Sequence, residues 1–233
     1  MRSSQKNILL QFQACIRKAK HNISPILNYA PDDLVWLDFS AANAALASVD
    51  LQNTALFSDF VNDQIKVKGG KVGIGGYNEN RVIYKRSSNF DGTEPRTVHL
   101  GMDVWLAAYT PIYAPLDAVV HSFKNNTGFG NYGETLILQH QQDGFTFYTL
   151  YGHLSASSTR ALYRGKEIKS GEAFAWLGDV QDNGNWPPHL HFQVIFDLEG
   201  YEGDYPGVAA PSQKSHFLAN CPDPACFLLP KQL

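Results

Sequence analysis

Residues 189–196, His-Leu-His-Phe-Gln-Val-Ile-Phe, are rich in β-branched and aromatic types and read as a β-strand. Side chains two apart on a strand face the same side. His189 and His191 therefore project together, while Leu190 and Phe192 turn the other way into apolar packing. Residues 98–106, Val-His-Leu-Gly-Met-Asp-Val-Trp-Leu, are apolar with polar interruptions. If this stretch is extended, its even spacing puts His99 and Asp103 on one face. The same spacing would work on a helix, but Gly101 and the β-branched flanks argue against one. Between the two pieces lies Tyr151-Gly152-His153-Leu154, with a further histidine.

Together these residues suit a metal site. Zinc in a hydrolase takes three protein ligands and keeps a fourth position for water. The chain has the imidazoles and the carboxylate for that, with two imidazoles left for proton handling. His-x-His alone is a weak signal and His-x-x-x-Asp a weaker one; the ordered set with its flanks is strong. The other histidines, His21, His121, His140 and His216, read as surface or satisfied core residues.

His-x-x-x-Asp, then Tyr-Gly-His-Leu, then His-x-His resembles the lysostaphin-type, or LytM-like, zinc endopeptidases. The likeness runs over residues 80–200. It includes Pro111-Ile-Tyr-Ala-Pro-Leu-Asp-Ala-Val-Val120, with Ala118 where the family pattern has Gly, then Gly130-Asn-Tyr-Gly133, Leu136–His140 and the stretch from Gly165 to Gly178. The resemblance implies one Zn2+ per chain held by His99, Asp103 and His191, with His153 and His189 as active-site histidines that do not bind metal. It implies hydrolysis of peptide bonds through a metal-bound water, in peptidoglycan cross-links or related peptides. No His-Glu-x-x-His helix supplies a glutamate base, so histidine, whose pKa lies near operating pH, fills the proton-transfer roles. Asn-Trp-Pro-Pro before His189 and Cys-Pro-Asp-Pro in the tail resemble family domains fused to kinase-like and aminotransferase domains.

The expected fold is mainly β, α+β overall: an antiparallel sheet domain over residues 76–233 behind an N-terminal helical segment, 1–75. Apolar residues at 8, 9, 12, 15, 16 and 19 recur at helical spacing, with Ser3 or Ser4 as N-cap. A second helix covers about 54–66, capped by Asn53 or Thr54. Gly69-Gly70 and Gly73-x-Gly75-Gly76 read as flexible turns. Short strand-like runs follow at 82–84, 98–105, 118–123, 135–140, 145–151, 173–177 and 190–196, with Asp143-Gly144 as a hairpin turn. The tail from 200 onward reads as irregular coil. Phe129, Tyr132 and Trp186 are candidate groove walls.

A formal net charge of −3 argues against a nucleic-acid partner, and no run reaches the length of a membrane span. The N-terminus makes no convincing signal peptide, so the chain reads as cytoplasmic by default. Three cysteines do not make a disulfide framework and read as ordinary thiols. Two other functions remain in view. One is a zinc-holding domain that binds or regulates without hydrolysing; the other is an amidase acting on a small substrate outside the cell wall. The N-terminal helices either complete the core or also narrow the groove, with Asn78 and Asn80 just upstream of the catalytic part.

Overall fold

A computed structural model of the chain describes residues 3–229, with side chains from residue 6. In chain order the elements are α1 (Ser3–Ala19), β1 (Leu34–Leu37), α2 (Thr54–Val67), β2 (Val72–Gly75), β3 (Val98–His99), β4 (Met102–Trp105), β5 (Pro111–Tyr113) and β6 (Ala118–Asn126). They continue with β7 (Gly133–Gln142), β8 (Phe145–Leu154), β9 (Glu167–Ile168), β10 (Ala173–Trp176), β11 (His189–Ile195), β12 (Val208–Ala209), α3 (Lys214–Asn220) and α4 (Ala225–Leu228). Eight strands form one sheet in the order β1-β2-β4-β11-β8-β7-β6-β9. Its pairs are antiparallel except β1 with β2.

The period-2 alternation divides the sheet. Leu190, Phe192 and Val194 of β11 and Met102 and Val104 of β4 belong to the main core, which α1 and α4 close. There Phe12 of α1 meets Phe147, Phe196 and Phe227, with ring centroids 5.3, 5.3 and 6.5 Å away. Burying such a side chain contributes about 1.5–3 kcal/mol. The opposite face carries His189, His191, Asp103 and Trp105. Phe57, Val61 and Ile65 of α2 pack on this side in a second cluster with Phe39, Trp105 and Trp186.

α1 and α2 lie where the apolar spacing puts them. Asn53 caps α2, its side chain accepting from the backbone N–H groups of Ala55 and Leu56. The side chains of Ser3 and Ser4, read as N-caps of α1, lie outside those described. Elsewhere the local patterns mislead. Residues 73–76 are not a free turn: Gly73 and Gly75 belong to β2, which is fully buried and pairs with β4. β1 is a further strand inside the region read as helical. Residues 83–86 form a 3-10 turn rather than a strand, and the tail folds into β12, a 3-10 turn, α3 and α4. The run 98–105 is two strands with different partners, β3 on β12 and β4 on β2 and β11. Among the described residues no helix is long and apolar enough to cross a membrane.

One buried histidine serves the sheet itself. His140 is 1 % exposed on β7 and stacked on Phe147. Its Nδ1 faces the Asp117 carbonyl at 3.1 Å and must donate, so Nε2 accepts from the Thr149 hydroxyl at 2.8 Å. Burial lowers its pKa from the ordinary 6.5 to about 4. Between those values the unfolded chain binds a proton that the folded chain refuses. Stability is thus highest above pH 6.5 and falls as pH drops towards 4, by on the order of 3 kcal/mol from this residue. Urea unfolding of wild type and His140→Gln at pH 7.5 and 4.5 should show a smaller acid loss in the variant. Equal losses would assign His140 no part in acid sensitivity.

Candidate metal centre

The site is laid out by strand register. Gly75 of β2 pairs with Asp103 of β4, Asp103 with His191 of β11, and His191 with Gly152 of β8, so one row crosses four strands. His189 lies two residues along, opposite Trp105. His99 reaches the row from β3 because the chain bends at Leu100-Gly101. Gly101 is needed there: a Cβ would lie 2.6 Å from the Phe192 carbonyl oxygen and 2.8 Å from the His191 ring.

His99, Asp103 and His191 converge, each offering one ligand atom, and all three are buried. His99 Nε2 lies 3.0 Å from His191 Nδ1 and 3.2 Å from Asp103 Oδ1, and His191 Nδ1 lies 3.0 Å from the same oxygen. Donors bound tetrahedrally to zinc at about 2.0–2.1 Å lie about 3.3 Å apart. The outward ring nitrogens decide what the inner ones carry. His99 Nδ1 faces the Gly76 carbonyl at 3.0 Å, and His191 Nε2 faces Gln193 Oε1 at 3.0 Å. Gln193 is oriented by its amide nitrogen, which donates to the Pro206 carbonyl and to Cys221 Sγ. Both imidazole hydrogens therefore point outward, and the three inner atoms present lone pairs only. That donor set fits a divalent ion of the zinc type.

The charges agree. Burial alone would push the Asp103 carboxyl up, but the His99 imidazole and the Arg81 guanidinium hold it well below the usual carboxylate range. His99 is lowered to about 4, by burial first and by the Arg81 charge second.

His153 and His189 stand beside this cluster, their ring centroids 4.3 Å apart. His153 Nδ1 donates to the Asn183 carbonyl at 2.8 Å and His189 Nδ1 to the Pro187 carbonyl at 2.7 Å, which leaves each Nε2 as an acceptor. His153 has a φ of +62°, an unusual backbone for a non-glycine residue. His189 stacks on Trp105. Burial lowers both pKa values, His189 to about 4, so both rings are neutral at pH 7.

These two rings, His191 and Asp103 line a cavity of about 330 Å³. Its walls include Tyr84 and Phe90 from the 83–90 turns, Tyr132, Trp186, Tyr205 and Phe57 of α2. The Tyr132 hydroxyl is 3.4 Å from His191 Nε2. Phe129, the third candidate wall, instead packs against the Arg86 guanidinium, and neither Asn78 nor Asn80 lines the cavity. Arg81 and Gln193 carry no motif signal in the sequence. Gln193 could be found by continuing the same strand face two residues past His191; Arg81 could not.

Known proteins resemble the same stretch. The profile of Peptidase family M23 matches residues 97–202. Peptidoglycan DD-endopeptidase ShyA of Vibrio cholerae is 30 % identical over 118 residues, 48 % of this chain and 25 % of that protein. An uncharacterized metalloprotease of Haemophilus influenzae is 33 % identical over 102 residues, 44 % of this chain and 19 % of that one. The chain thus spans a quarter or less of the length of these curated relatives. Among solved structures, a zinc-containing peptidase from Vibrio cholerae is 27 % identical with a TM-score of 0.34, covering 42 % of this chain and 27 % of that one. The catalytic domain of lysostaphin from Staphylococcus simulans is 24 % identical with a TM-score of 0.35, covering 50 % and 77 %. With its His-x-x-x-Asp and His-x-His residues inside the matched stretch, the chain carries over residues 97–202 a Peptidase family M23 domain of the lysostaphin type.

Proposed function

We propose that the protein is a zinc-dependent endopeptidase acting on peptide bonds of the peptidoglycan type, with one ion per chain held by His99 Nε2, Asp103 Oδ1 and His191 Nδ1. The observation that carries this reading is the convergence of three lone-pair donors whose hydrogens all point away. When bound, zinc supplies Lewis-acid chemistry, polarising a carbonyl and acidifying water. The substrate class rests on the likeness to a peptidoglycan endopeptidase, over a quarter of that protein's length.

The remaining roles fall to the protein's own groups. His153 and His189 are neutral, with Nε2 free in the cavity, so either can accept a proton from water at neutral pH. Once protonated, an imidazole becomes the donor that a leaving amine or a developing oxyanion requires. Trp105 under His189 and the Asn183 carbonyl on His153 hold the rings in place without occupying their reactive nitrogens. The aromatic walls keep the dielectric low, so each of these polar contacts counts for more than it would in water. A domain that only bound or regulated would have no use for this second pair of aimed imidazoles.

Elemental analysis of purified protein should find about one divalent ion per chain. His99→Ala, Asp103→Ala and His191→Ala should each weaken zinc binding by more than the roughly 10–100-fold that losing an outer partner costs. Full metal content in all three variants would remove the assignment.

His153→Ala and His189→Ala should keep metal yet lose turnover on peptidoglycan fragments by about a hundredfold or more. If either loses zinc while His99→Ala retains it, the ligand and proton-transfer labels must be exchanged.

A further inference from the structure

Arg81 is the largest fully buried side chain and is 1 % exposed. A guanidinium is seldom taken so far from water unless something requires it. One end, Nη1, donates to Asp103 Oδ2, and Nε donates to Glu79 Oε2 at 2.6 Å. The other Glu79 oxygen accepts from the Phe39 backbone N–H at 3.0 Å. Nη2 has no hydrogen-bond partner among the described residues. The guanidinium instead lies against the Phe39 and Trp105 rings, 5.5 and 5.9 Å from their centroids. The space is made for it: a Cβ on Gly75 would come within 2.8 Å of Nη2.

We infer that Arg81 is a positioning residue of the metal centre and that, through Glu79 and Phe39, it makes the segment after β1 part of that centre. The inference rests on the zinc reading above. A free carboxylate can offer a metal one oxygen or two. Here Arg81 claims Oδ2, so Asp103 has only Oδ1 to turn towards His99 and His191. The rigid fork matters, because it spans two carboxylates at once, which the point charge of lysine cannot do in the same geometry. Two effects of the arginine oppose each other. Its charge alone would weaken binding of a cation, but Glu79 on Nε offsets that charge. The orientation of Asp103 is then the larger effect, and losing it weakens binding. The N-terminal region thereby acquires a role beyond completing the core: Phe39 supplies both a backbone donor and a ring to the arginine that aims a metal donor.

The test is metal affinity and cobalt(II) absorption of the full-length protein, with no activity assay involved. Arg81→Met should raise the zinc Kd, by competition with a chromophoric chelator, by roughly 10–100-fold. It should also lower the visible cobalt absorption several-fold, as the freed Oδ2 joins the ion and raises its coordination number. Arg81→Lys should fall between wild type and Met. Either change, in a variant whose metal-free form is folded by circular dichroism, supports the inference. An unchanged zinc Kd together with an unchanged cobalt spectrum overturns it. If Arg81→Met does not fold, Glu79→Gln and Phe39→Leu decide, since they touch only the arginine's supports. Each should weaken zinc binding measurably, and unchanged affinity in both overturns the inference. Wild-type protein that takes up no divalent ion would remove the zinc reading and this one together. Metal uptake by wild type with unaffected variants would remove this one alone.

Discussion

His99 Nε2, Asp103 Oδ1 and His191 Nδ1 bring their lone pairs within 3.0–3.2 Å of one another, with no hydrogen between them. Such a cluster repels itself unless a cation occupies it, and burial makes the repulsion larger than it would be in water. Its existence therefore depends on neighbours that hold the donors in place. The Gly76 carbonyl, Gln193, the Cys221 thiol and Arg81 do this from four directions. The row from Gly75 to Gly152 supplies the rigid floor, because register in a sheet with one closed face cannot slip without turning every side chain over.

The same alternation that faces the imidazoles away from the core fills that core. Leu190, Phe192 and Val194 anchor β11 on one side while His189, His191 and Gln193 work on the other. The site stands on a central strand, flanked by β4 and β8, and inherits the precision of the packed sheet. Only His99 and His153 come from less regular backbone, one beyond the bend at Gly101 and one at a positive φ. Both have their Nδ1 tied to a carbonyl, which fixes ring and tautomer where the strand does not.

The polar face is closed by aromatic residues drawn from distant parts of the chain. Phe57 of α2, Tyr84, Phe90, Tyr132 and Trp186 wall the cavity, and Arg86 clamps that wall between the Phe57, Phe129 and Trp186 rings. Low dielectric around neutral histidines keeps them neutral and available as bases.

The sequence by itself determined the strand that carries His189 and His191, the two N-terminal helices, the Asp143-Gly144 hairpin and the five histidine and aspartate positions that meet at the site. Those follow from side-chain periodicity and from ordered motifs, which are local. Tertiary structure alone decided that Gly73 and Gly75 form a strand: glycines carry no pattern, and β2 forms because β4 offers it a ladder and Trp105 and Arg81 require the missing Cβ atoms. It also decided that 98–105 breaks in two, since each half has a different partner, and that the tail, from β12 to α4, folds onto the rest. Arg81 belongs to the same class. No spacing rule connects residue 39, residue 79, residue 81 and residue 103, and only the closure of the sheet brings a buried arginine against the carboxylate of Asp103.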